Sequence, residues 1–169
     1  MRLPRPMQDV KTMNALLNGA EKHALEAGET VPGPEHLLLS ALALPDGSAR
    51  RAFERLGAAP DALRAAIDRV HAEALSMIGV RSAHEERVDE AIRANPPRAR
   101  GVMKTTATAQ EAFQAATKQA KADKSALMGA HIVAAVAGLK EGTAPRALRA
   151  MGIDPAALAL AARQEIRNA

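Results

Sequence analysis

Apolar residues fall at helical spacing along most of the chain. Met13, Leu16, Leu17, Ala20 and Ala24 line one face, which predicts a helix from about Asp9 to Ala27, with Gly28 as its C-terminal cap. The loop Glu29-Thr-Val-Pro-Gly then leads into Gly33-Pro-Glu-His-Leu-Leu-Leu-Ser-Ala-Leu-Ala-Leu44. Leu37, Leu38, Leu39, Ala41 and Leu42 surround nearly the whole circumference of this second helix, so it is expected to be central and buried. At about eleven residues it is too short to span a bilayer. Pro34 stands in the first turn, where proline is tolerated. After the turn Pro45-Asp-Gly-Ser48, a third helix is predicted from about Ser48 to Leu56, closed by Gly57. Pro60 opens a fourth, with Leu63, Ile67 and Val70 on one face, reaching roughly Ser76.

The series then recurs. His131-Ile-Val-Ala-Ala-Val-Ala-Gly-Leu139 replays His36 to Leu44, and the register holds at Gly47 and Gly142, Arg51-Ala52 and Arg146-Ala147, Gly57 and Gly152, Pro60 and Pro155, and Leu63 and Leu158. Dropping one residue from the second loop also aligns Ala20 and Ala24 with Ala116 and Ala120. Such self-similarity marks an internal duplication. It predicts an all-α fold of two pseudo-symmetric four-helix units packed as one domain. The second copy should run as helices over about Thr106–Ala122, Ala130–Leu139, Thr143–Met151 and Pro155–Arg167. Its second helix carries Val133-Ala-Ala-Val136 where the first has Leu38-Leu-Ser-Ala41, so looser packing is expected there.

These patterns divide the chain into four parts. Residues 1–8 read as a flexible arm, because Pro4 and Pro6 resist helix formation. Repeat 1 spans 9–76 and repeat 2 spans 105–169. Between them, 77–104 forms a linker with an extra polar helix predicted over Val80–Asn95, stopped by Pro96 and Pro97.

Composition narrows the chemistry. Phe53 and Phe113 are the only aromatic residues, and Tyr, Trp and Cys are absent. That argues against stacking-based nucleic-acid recognition and excludes disulfides and thiolate sites. The net charge of +4 arises from interspersed charges of both signs, and Lys118, Lys121 and Lys124 read as a solvated face, not a nucleic-acid surface. The basic N-terminus has no apolar stretch behind it, and nothing signals a membrane, so the expected location is the cytoplasm. Ser40 lacks a nucleophile elbow. His71, His84, Glu85 and Glu86 lack an H-E-x-x-H arrangement and are assigned to solvated faces. His36 and His131 have no Cys, Asp or second His at ligand spacing and are expected to hydrogen-bond a neighbouring loop or helix end. No catalytic residue, cofactor or metal ligand is therefore assigned.

The order of long helix, Gly33-Pro-Glu-His-Leu-Leu-Leu, turn, Ala49 to Leu56-Gly57 and final helix resembles the Clp N-terminal repeat, present twice at the front of the ClpA, ClpB and ClpC unfoldases. His131 and Met151-Gly152 carry the second match. The chain has no G-x-x-x-x-G-K-[ST] phosphate loop, so the resemblance implies a stand-alone recognition domain without the AAA+ ATPase. It implies a non-enzymatic adaptor, decoy or regulator of the Clp system, binding protein or peptide segments. The alternative is an assembly factor docked on the Clp peptidase ring or on a Clp ATPase. In ClpC-type domains the glutamate of this motif helps hold phosphoarginine. By resemblance the site is Gly33, Glu35 and His36, and Ala130 stands where the second glutamate would be. The Phe-Thr-x-Arg-Ala segment that opens family repeats and serves cyclic-peptide antibiotics has no phenylalanine here at Asp9–Met13 or Thr105–Ala109.

Overall fold

The computed structural model describes residues 5–77 and 105–169, which form eight α-helices and no strand. These are α1 (Arg5–Glu26), α2 (Pro34–Leu42), α3 (Ser48–Glu54), α4 (Leu63–Met77), α5 (Ala107–Ala122), α6 (Gly129–Ala137), α7 (Thr143–Ala150) and α8 (Pro155–Arg167), with a 3-10 turn over Pro60–Ala62 before α4. The helix predicted over Val80–Asn95 lies outside the described residues. The expected arm over 1–8 is a correction: Arg5 to Gln8 already belong to α1. Pro6 falls in the first turn, where its missing N–H would have had no intrahelical partner.

Both long first helices close in the same way. Gly28 adopts φ 77° and lets the Glu29 N–H reach Ala24 O at 2.8 Å. In the second copy Lys124 takes this role at φ 52°, and the Ser125 N–H bonds Ala120 O at 3.0 Å. These are C-terminal motifs that satisfy otherwise orphaned carbonyls. They fix which loop residues correspond: Glu29 in repeat 1 and Ser125 in repeat 2.

The two halves interlock around α2 and α6. α1 packs on α2 and α5 on α6, while α2 and α6 pack directly on each other. The outer elements then cross over: α3 packs on α8, and α7 packs on α4. One continuous core results, with Leu16, Leu37, Leu38, Phe53, Leu63 and Ile67 from the first repeat meeting Ile132, Val133, Leu148 and Leu158 from the second. Leu37 and Leu38 are wholly buried, and Leu39 is the one leucine of α2 left partly exposed.

The small residues of α6 do not loosen it. Ile132, Val133 and Val136 are completely inaccessible. A Cβ added at Gly129 would lie 2.9 Å from Ala49 Cβ and 3.0 Å from Ala41 O, so the backbone of α6 touches α2 and α3 directly. Slim side chains here shorten the distance between helices instead of leaving voids, which keeps dispersion contacts at full strength. The α3–α8 seam is also pinned electrostatically. Glu165, 5% exposed, accepts from Arg51 Nε at 2.7 Å and from Arg55 Nε. The Arg51 bond, followed by that of Arg55, holds its pKa below the usual carboxylate value.

Two substitutions test this packing. Leu38→Ala should lower the unfolding free energy by about 2–5 kcal/mol in urea titration, as large-to-small core changes do. A loss below about 1 kcal/mol would contradict the burial. Gly129→Ala should cost about 1–3 kcal/mol, since one methyl must push the two halves apart. Stability unchanged by that methyl would mean the seam is looser than described.

Candidate functional site

The head of α2 gathers Gly33, Glu35 and His36, the three residues the sequence singles out. Gly33 is the N-cap in extended conformation, with Pro34 as the first helical residue. His36 reaches back so that its Nδ1 accepts the Gly33 N–H at 2.9 Å, satisfying one of the donors a helix start leaves unpaired. Glu35 is 6% exposed, and its carboxylate folds against Gly33. A Cβ there would stand 2.6 Å from Glu35 Oε1 and 2.9 Å from Cδ. Glycine at this position lets the carboxylate lie over the backbone; any side chain there would have to displace it.

Burial raises the Glu35 pKa first of all. A bond from its own backbone N–H pulls the other way, and the nearby Glu29 carboxylate raises it further. Glu29 pairs with His71 of α4, Oε1 to Nε2, at 3.4 Å. Glu29, Glu35 and His71 each bring one side-chain atom within 4.8 Å of the others. The assignment of His71 to a solvated face is thus corrected: it sits against the α1–α2 loop. His84, Glu85 and Glu86 lie outside the described residues. Spacing along the chain hid this cluster, because 42 positions separate Glu29 from His71 and only the packing of α4 joins them.

The head of α6 is built alike and finished differently. His131 Nδ1 accepts the Met128 N–H at 3.1 Å, and its Nε2 meets Ser125 Oγ at 3.3 Å. Both histidines therefore hold helix ends. The remaining N–H groups of α6 are taken by the first repeat. Asp46 Oδ2 accepts from Gly129 N at 3.2 Å, and Ser48 Oγ accepts from Ala130 N at 2.8 Å. Asp9 Oδ1 accepts from Leu127 N at 2.8 Å. The second repeat thus lacks the carboxylate, and its helix head is closed as well. The sequence marks Asp46-Gly-Ser48 only as a turn; its capping of a helix more than 80 positions away is a tertiary fact.

An all-α domain of two interlocked four-helix repeats, with one polar helix head left near the surface, is the class this geometry defines. Residues 11–91 match the Clp repeat (R) N-terminal domain, which supports a Clp-related protein-interaction module. Two solved structures share the fold over nearly the full length. The N-terminal domain of the caseinolytic protease associated chaperone ClpD from Arabidopsis thaliana is 17% identical at TM-score 0.54, covering 95% of this chain and 92% of that one. A protein solved in preliminary structural investigations of a malarial protein secretion system is 17% identical at TM-score 0.54, covering 94% and 92%. At this identity they establish the fold alone. No curated protein matches the chain in sequence. No helix among the described residues is long and apolar enough to cross a membrane.

Burial, with the positive charges of His71, His23 and Arg64 behind it, lowers the His36 pKa from 6.5 to about 4. The unfolded chain takes up a proton near 6.5 and the folded chain does not until about 4. Stability from this group is therefore complete above 6.5 and is lost as pH falls toward 4. His131 is shifted the same way by burial and adds to the loss, while Glu35, raised, opposes it. His36→Asn should flatten the pH dependence of the unfolding free energy in that window by up to about 1.4 kcal/mol per pH unit. Urea titrations at stepped pH measure it, and an unaltered slope would refute the assignment.

Proposed function

We propose that the chain is a non-enzymatic protein-binding module that acts as an adaptor, decoy or regulator of the Clp unfoldase and protease system in the cytoplasm. Peptide segments, including those bearing phosphoarginine, bind through the first repeat at Gly33, Glu35 and His36. The observation that carries this is the Glu35 carboxylate, held by Gly33 at the head of α2 with Glu29 beside it. Two carboxylates in a partly desolvated place favour a guanidinium over a neutral group, and a helix head favours the phosphate joined to it. Pro34 removes one N–H from that head, so the carboxylate supplies most of the attraction. Binding is monovalent, because Asp46 and Ser48 occupy the head of α6.

NMR titration of the protein with phosphoarginine and with an unstructured arginine-rich peptide tests the site. Shifts should cluster at Gly33–His36, and Glu35→Gln should weaken binding by about 10- to 100-fold, the loss of one charge-assisted hydrogen bond. Titrations that leave the Gly33–His36 resonances unmoved would remove this site. Recovery of Clp peptidase or ATPase subunits in a pull-down unaffected by Glu35→Gln would assign the module to assembly instead.

A further inference from the structure

The duplication provides an internal control for the cluster at the head of α2. In the shared register, Glu29, Glu35 and His71 correspond to Ser125, Ala130 and Ile166. None of the three is shared, although the surrounding backbone is built alike. In repeat 2 the same place is a cleft lined by Asp123, Ser125, Ile166 and the guanidinium-bearing Arg163 and Arg167. Among the described residues, only the first repeat brings ligand atoms of two carboxylates and an imidazole within 4.8 Å of one another.

Their arrangement is that of a ligand set. The His71 Nε2 to Glu29 Oε1 distance of 3.4 Å is about the edge of a tetrahedron whose metal–ligand bonds are about 2.1 Å long. Glu35 lies buried at the base, while the side chains of His71 and Glu29 are 20% and 37% exposed at the mouth. An ion therefore has a way in from solvent.

A second observation points to a missing ligand. His36 is 1% exposed, and its Nε2 has no hydrogen-bond partner. Since Nδ1 accepts from Gly33 N–H, the ring proton of the neutral imidazole resides on Nε2, a buried donor awaiting an acceptor. His131 shows where this ring edge points. Held by the same Nδ1 contact, its Nε2 meets Ser125, the counterpart of Glu29. In the shared register Glu29 stands in the place of that partner, so we infer that His36 Nε2–H faces the Glu29 side of the cluster. A metal-bound water, or the outer oxygen of a ligating Glu29, would meet it there in the usual manner of outer-shell support.

We propose that Glu29, Glu35 and His71 bind one divalent transition-metal ion, Zn2+ by its ligand chemistry, with a fourth position open to water or to a partner's side chain. One imidazole with two carboxylates suits Zn2+, whereas Mg2+ and Ca2+ take oxygen-only sets. The ion replaces the Glu29–His71 ion pair and fastens the α1–α2 loop to α4. It shares Glu35 with the peptide site but does not depend on any peptide being bound.

Calorimetric titration of the full chain with ZnCl2 in a non-coordinating buffer at pH 7.5 should give one site per chain with a micromolar Kd. His71→Ala and Glu29→Gln should each weaken it at least tenfold, and His84→Ala should leave it unchanged. MgCl2 should give no binding. In the wild-type protein Zn2+ should move the imidazole nitrogen resonances of His71, a signal independent of any variant's folding. No Zn2+ binding at millimolar concentration, binding that survives His71→Ala at full strength, or imidazole shifts confined to other histidines would each overturn the proposal.

Discussion

Direct contact between the two buried helices α2 and α6 is the constraint from which the other features follow. Each helix is apolar almost all round, so each must be enclosed, on one side by its own repeat and on the other by the second repeat. Gly129 against Ala41 and Ala49 sets how closely they approach. Once they meet, the outer helices also pack across the seam, α3 on α8 and α4 on α7, while α8 keeps its packing on α6 within its own repeat. Neither half has a complete core alone.

Enclosing a helix also encloses its ends, and unpaired N–H groups away from water are costly. The two repeats meet this demand differently. α6 is capped from outside by Asp46 and Ser48, which spends those side chains on structure and ties the halves together. α2 is served from within, by His36 on Gly33 and by Glu35 on its own backbone. A carboxylate retained in a desolvated place beside Glu29 and His71 keeps a reactive polarity that Ala130 and Ile166 cannot have. The two copies of one unit thus differ in how one helix end is satisfied.

Charge follows the same division. On the α3–α8 seam, Arg51 and Arg55 enclose Glu165. That arrangement compensates the burial of the anion and leaves it nothing further to bind. At the head of α2 the nearest cation is a histidine that carries its charge only when protonated. The two buried carboxylates, Glu165 and Glu35, thus differ in the cations that face them, two guanidinium groups against imidazole.

Most of the architecture was legible in the chain itself. Helical periodicity, the Gly28 and Gly57 stops and the recurrence of His36–Leu44 at His131–Leu139 are local signals, and local geometry obeyed them. Gly33, Glu35 and His36 are neighbours on one turn, and it was the family resemblance that singled them out. Tertiary structure alone decided the crossed packing of the repeats, the tightness of α6, the reach of Asp46 and Ser48 and the meeting of His71 with Glu29. Each of these depends on distances between elements remote in sequence, and such distances are set by how side chains interdigitate, which periodicity along one helix does not encode.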